Sequence, residues 1–121
     1  MKEQSSGESL AKAAQNYIEG HSKDKFSLDE IAGALYVNGS YLLRTFKRYT
    51  NMTPLCYHHL VRCRKAKELL LQTDRNISEI GEMVGFVSSS HFSHIFRKTE
   101  GCTPGEYRML CKRENHKETD L

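Results

Sequence analysis

No apolar run in this sequence approaches the ~20 residues that a membrane span requires, and the opening Met1-Lys2-Glu3-Gln4-Ser5-Ser6 is too polar for a signal peptide. A soluble, cytoplasmic chain is the expectation. Proline occurs twice and glycine eight times in 121 residues. Strand-like alternation is missing, and apolar residues recur at helical spacing instead, which predicts an all-α fold. No CxxC spacing exists among Cys56, Cys63, Cys102 and Cys111, so reduced thiols are expected rather than a disulfide frame. The length suits one ordinary domain, or two very small ones sharing a connecting element, and excludes a two-domain enzyme. With 38% hydrophobic and 27% charged residues, a packed core has to come from amphipathic helices.

What is present is unevenly charged. Residues 1–43 carry four Lys/Arg against six Asp/Glu, residues 44–68 carry seven against one, and residues 69–121 carry seven against eight. The overall +3 therefore hides a central basic block. Such a block fits phosphate neutralisation, and a solvated helix face would look similar.

Capping patterns divide the chain. Ser27-Leu28-Asp29-Glu30 has the spacing of a capping box, and Asn76-Ile77-Ser78-Glu79 repeats it with Asn as cap. Thr53-Pro54 and Thr103-Pro104 each put a capping hydroxyl before a proline suited to the first helical position. About seven helices are expected, near 8–19, 28–35, 40–49, 54–71, 77–84, 89–99 and 104–111. Flexible ends are expected at 1–7 and 112–121.

A search for internal repeats is the most informative step. At a shift of 50, Ser40 meets Ser90, Leu42 meets Phe92, Phe46 meets Phe96, Arg48 meets Lys98, Thr53-Pro54 meets Thr103-Pro104 and Tyr57 meets Tyr107. Upstream the shift is 49, where Leu28, Glu30, Ile31 and Leu35 meet Ile77, Glu79, Ile80 and Val84. One extra residue in the second copy's turn accounts for the change. The repeated unit is a short helix, a tight turn and a longer helix. Ala32 and Gly81 supply the small residue that a close helix crossing needs. Gly85 suits a positive φ in the second turn, while Tyr36 at the matching place predicts a first turn built differently. The expected division is a first helix-turn-helix at 8–53, a linker helix at 54–72 and a second helix-turn-helix at 73–111.

Each longer helix has two faces. Leu42, Thr45, Phe46 and Tyr49, and in the second copy Phe92, Ile95, Phe96 and Thr99, form stripes expected in the core. The opposite stripes are polar or basic, with one leucine, and contain no acid. They nominate Asn38, Ser40, Leu43, Arg44 and Lys47, with Ser89, Ser90, Ser93, His94 and Arg97, as candidates to read DNA bases. Arg takes guanine O6 and N7 together, Ser donates or accepts, and an exposed Leu packs on a thymine methyl. Arg48, Arg62, Arg64 and Lys98 are the phosphate candidates. A linker of about 18 residues rises roughly 27 Å, which would hold two reading helices a little under one duplex turn apart. A span short of the ~34 Å pitch would also favour bending the duplex. Unequal faces, Leu43-Arg44 against Ser93-His94, predict an asymmetric site.

These stretches resemble the DNA-binding domain of the AraC/XylS family of bacterial transcription regulators over roughly residues 10–110. The likeness lies in Leu28-Asp29-Glu30-Ile31-Ala32, in Ser40-Tyr41-Leu42-Leu43-Arg44-Thr45-Phe46-Lys47, and in Tyr57, Arg62, Ala66 and Leu69-Leu70. It is most specific in Ile80-Gly81, Gly85-Phe86, Ser90 through Lys98, and Gly101 through Arg108. The resemblance implies two helix-turn-helix units joined by a long helix, binding double-stranded DNA and usually activating transcription through RNA polymerase. It also implies that Arg62 is partly structural. A stand-alone chain of this kind would bind as a monomer. Departures from the family pattern are Gly81 for a usual Ala, His91 for a usual Tyr, His94 for a usual Arg, and Cys63 at a normally larger apolar site.

Rival chemistry is poorly supported. Cys56, His59 and Cys63 fall at helical spacing, with His58 a conceivable fourth ligand, yet the set lacks a closed structural zinc spacing. Ser88-Ser89-Ser90-His91 lacks a nucleophile elbow and a placed acid, and a capped helix start explains it. No catalytic residue, metal or cofactor is expected. The alternative to a DNA-binding regulator is a helical protein-interaction adaptor that has lost DNA reading.

Overall fold

The computed structural model describes residues 2–120, with side chains described over residues 6–112. Among the described residues there are seven α-helices and no strand: α1 (Lys2–Gly20), α2 (Leu28–Ala34), α3 (Gly39–Thr50), α4 (Pro54–Gln72), α5 (Ile77–Met83), α6 (Ser89–Glu100) and α7 (Pro104–Asp120). The fold is all-α, as the periodicity requires.

Side-chain acceptors start these helices by satisfying backbone donors that have no partner within the helix. Ser27 Oγ accepts from Glu30 N–H at 3.2 Å, Asn38 Oδ1 from Tyr41 N–H at 2.8 Å, Asn76 Oδ1 from Glu79 N–H at 2.8 Å, and Ser88 Oγ from His91 N–H at 3.0 Å. Thr53 Oγ1 accepts from Cys56 N–H at 3.2 Å before α4. At α7 a reciprocal box forms, with Glu106 N–H donating to Thr103 Oγ1 and Thr103 N–H donating to Glu106 Oε1 at 2.9 Å. That backbone donor holds the Glu106 carboxyl below its ordinary value.

Two helices run past the expected limits. The expected flexible ends lie largely outside the residues with described side chains, but the backbone of α1 is helical from Lys2 and that of α7 to Asp120. Gly7 lies in the part of α1 that precedes the expected start. It is buried, and a Cβ there would sit 2.6 Å from Cε2 of Tyr49. A glycine that matters because it has no side chain leaves no trace in an apolar pattern.

The chain divides into two compact units, residues 1–61 and 62–121. The stretch read as a linker is shared between them, because its apolar residues serve different cores. Tyr57 and Val61 join Ala14, Ile18, Ile31, Ala32, Leu42 and Phe46 in the first core. Cys63, Ala66 and Leu70 join Ile80, Val84, Phe86, Phe92, Ile95 and Phe96 in the second. Within the second unit Arg108 closes the end of α4, its Nε donating to Leu70 O at 3.0 Å and Nη2 to Thr73 O at 3.1 Å. A planar fork satisfies two terminal carbonyls at once, which Lys cannot match.

The repeat extends to geometry. Phe46 and Tyr57 meet edge to face at 5.8 Å, and Phe96 and Tyr107 do so at 5.7 Å. The turn between α2 and α3 covers residues 35–38, and that between α5 and α6 covers residues 84–88, so the extra residue lies where the change of offset places it. In both turns the same two backbone bonds form: Val37 N–H to Ala32 O and Tyr36 N–H to Gly33 O, against Phe86 N–H to Gly81 O and Gly85 N–H to Glu82 O. This corrects the expectation that Tyr36 forces a different turn. Tyr36 adopts φ 60° where Gly85 adopts 110°, and the side chain, not the turn, is the exception. A left-handed conformation costs a residue bearing a Cβ about 1–2 kcal/mol.

The crossing itself differs. A Cβ on Gly81 would lie 2.8 Å from Cδ2 and 3.0 Å from Cγ of Phe92. Phe92 is fully buried between Phe86 and Phe96 and has no room to retreat. Gly81 with Phe92 therefore replaces the first unit's Ala32 with Leu42, small opposite large in place of medium opposite medium. Gly81→Ala should destabilise the second unit by up to about 2 kcal/mol, an overpacking cost of about 1–3 kcal/mol offset by the ~1 kcal/mol that Ala gains over Gly in a helix. Gly81→Ala combined with Phe92→Leu should recover at least half of that loss. A double-mutant cycle of chemical unfolding measures the coupling, and additive effects would contradict the packing argument.

Candidate nucleic-acid interface

The second helix of each unit is amphipathic, and burial decides which face is free. In α3, Leu42, Thr45 and Phe46 are buried; in α6, Phe92, Ile95 and Phe96 are. The fourth member of each expected core stripe lies at the edge instead, with Tyr49 half-buried and Thr99 exposed. One turn beyond the crossing, each helix has already cleared its core.

The opposite faces are open. Ser40, Leu43, Arg44, Lys47 and Arg48 are exposed on α3, and Ser89, Ser90, His94, Arg97 and Lys98 on α6, with Ser93 half-buried. Asn38 is exposed too, but its carbonyl oxygen is committed to the α3 cap, which leaves its amide group for any base contact. Basic side chains end both helices, Lys47 and Arg48 in α3 and Arg97 and Lys98 in α6, where they complement the carbonyl end of the helix dipole. Arg48 also lies 5.8 Å from the Tyr49 ring centroid. Residues 31–67 contain no Asp or Glu, nor do residues 83–99, so both turns and α3 are free of acid and the single acid of α6 is its last residue, Glu100, which pairs with Lys67.

The central basic block does not act as one surface. Arg64 is exposed. Arg62, nominated as a phosphate contact, is only 6% exposed and holds its guanidinium 5.1 Å above the Phe86 ring. The cation rests on an aromatic face inside the second unit, which leaves little of it exposed to a phosphate. Lys67 is 3.0 Å from Glu100 and is neutralised locally.

Three exposed residues were not among the candidate contacts. Tyr41 is 41% exposed between the caps and Arg44 on α3, and Tyr36 and Val87 lie almost wholly in solvent in the two turns. Tyr36 was detectable as a misfit, an aromatic residue opposite a turn glycine. Val87 was detectable as the residue next to the change of offset.

The rival metal set does not converge. Cys63 is fully buried while Cys56 is exposed, and among the described residues no three His, Cys, Asp or Glu side chains gather as a metal site. Among the described residues no helix is long and apolar enough to cross a membrane.

Two helix-turn-helix units, each turning an acid-free polar face outward, define a DNA-binding module. A family model described as a helix-turn-helix domain matches residues 31–109. The uncharacterized HTH-type transcriptional regulator YisR of Bacillus subtilis (strain 168) is 33% identical over 110 residues, covering 91% of this chain and 38% of that protein. The chain thus spans well under two thirds of that relative's length. A transcriptional regulator from Chromobacterium violaceum, described as an AraC-type DNA-binding domain-containing protein, superposes with a TM-score of 0.79 at 32% identity, covering 87% of this chain and 94% of that one. The DNA-binding domain of AdpA, solved in complex with a target DNA, gives a TM-score of 0.77 at 25% identity, covering 87% and 94%. The chain belongs to the AraC-type family of helix-turn-helix DNA-binding domains.

Burial pushes the Cys63 thiol up to about 11, leaving about one thiolate in 10,000 at pH 7. In the native protein at neutral pH an alkylating reagent should label exposed Cys56 and spare Cys63 until the chain is unfolded. Peptide mapping of labelled protein reads this directly; native labelling of Cys63 would show that the second core opens readily.

Proposed function

We propose that this chain is a sequence-specific, double-stranded-DNA-binding transcription regulator that inserts α3 and α6 into successive major grooves of one asymmetric site. The observation that carries the reading is the doubled amphipathic helix, with Leu42, Thr45 and Phe46 inward on α3 and Phe92, Ile95 and Phe96 inward on α6, each opposite an acid-free stripe that is polar or basic apart from Leu43. Arg44 is the strongest base reader, placed to take guanine O6 and N7 together, with Leu43 beside it for a thymine methyl. Ser40 and Lys47 flank them. In α6, Ser90, Ser93 and His94 read with shorter reach, supported by Ser89 and Arg97. Arg48, Arg64 and Lys98 contact phosphates. Because the two faces differ in reach and charge, the two half-sites differ in sequence and the first unit supplies more of the discrimination. One chain with two reading helices needs no partner copy to cover both half-sites, so it binds as a monomer. Activation through RNA polymerase is the regulatory outcome that the family supports.

Arg44→Ala should cost about 1–3 kcal/mol on the preferred site and relax base preference at one position. Lys98→Ala should weaken all sequences alike and lower the slope of log affinity against log salt by about 1. Fluorescence anisotropy against tiled promoter duplexes, repeated across salt concentrations, measures both. Binding unchanged by either substitution would refute this docking, and absence of binding even at low salt would favour a protein-interaction adaptor.

A further inference from the structure

The two most exposed large apolar side chains among the described residues are Tyr36, at 94%, and Val87, at 99%. Both lie in the turns that lead into a reading helix. Tyr36 stands two residues before the α3 cap, at the position Gly85 fills in the second unit, and holds a positive φ there. Folding gains nothing from an aromatic residue at this point. Its ring is in solvent, its backbone is in a conformation that a Cβ disfavours, and the second unit builds the same turn with glycine. A strained residue that internal packing does not repay points to a ligand.

We infer that Tyr36 is a DNA contact in its own right, its phenol hydroxyl donating to a phosphate oxygen at the edge of the groove that α3 reads. This rests on the reading that α3 enters a major groove. The N-terminal residues of a recognition helix meet base edges, so the turn just before them lies over the bordering sugar–phosphate strand. Tyrosine is among the side chains that serve phosphate contacts. Charge favours DNA over a protein partner, because Tyr36 lies within the acid-free stretch 31–67 and a polyanion approaches it without repulsion. Val87, the residue next to the change of offset in the other turn, has no hydroxyl to donate and offers the second half-site an apolar contact only.

The test uses the full chain and a duplex that the wild-type protein selects from a randomised library. Tyr36→Phe keeps the ring and the turn and should weaken binding about tenfold, the effect of losing one hydrogen bond to a charged acceptor. The loss should be equal at every salt concentration, since a neutral hydroxyl releases no counterion. Tyr36→Gly should weaken binding at least as much while raising the midpoint of thermal unfolding, whereas a purely structural role would move stability and affinity in the same direction. If Tyr36→Phe binds as tightly as wild type while Arg44→Ala weakens binding, the inference is overturned and the DNA reading stands. If no duplex is selected, or Arg44→Ala has no effect, the reading falls and takes the inference with it.

Discussion

Each unit depends on two helices crossing so closely over a short turn that the residue at the crossing must be Ala or Gly. From that contact the rest follows. The close approach forces a left-handed residue into the turn, closes the same pair of backbone hydrogen bonds at Ala32 and Gly81, and sets the rotation of the second helix. That rotation sends Leu42 and Phe46, or Phe92 and Phe96, to full burial and leaves the opposite stripe in water.

The two units solve one constraint with different residues. The first uses Ala32, Leu42 and a strained Tyr36; the second uses Gly81, Phe92, Gly85 and one added turn residue. Volume is conserved across the crossing in each case, so the glycine in the second unit is matched by its larger neighbour and is not simply a lost methyl. With the cores equivalent, the helices are free to differ on their outer faces, where Leu43-Arg44 and Ser93-His94 give unequal reach. A scaffold that buries one stripe leaves the residues of the other unconstrained by packing.

Charge needs the same separation of inside from outside. Residues 44–68 look uniformly basic in sequence, yet Arg62 lies on the Phe86 ring and Lys67 pairs with Glu100. Arg44, Lys47, Arg48 and Arg64 remain at the surface. The exposed positive charge is therefore smaller than the block of cations suggests, and in the first unit it lies on α3.

The sequence by itself determined the number and order of the helices, the caps at Ser27, Thr53, Asn76, Ser88 and Thr103, the duplication and the place of the extra turn residue, because each rests on short-range spacing: an acceptor three residues ahead of a donor, an apolar side chain every third or fourth position. It also determined which faces of α3 and α6 are inward, since Leu42, Phe46, Phe92 and Phe96 fall on one stripe. Other features belonged to the tertiary structure alone. Gly7 matters through a ring on another helix, Gly81 through the bulk of Phe92, and Arg62 through a ring 24 positions away in the chain. Tyr36 shows the limit most clearly. Its mismatch with Gly85 was visible in the alignment of the repeats, but that the backbone keeps the glycine's conformation and leaves the ring in solvent depends on packing between helices, which local spacing does not encode.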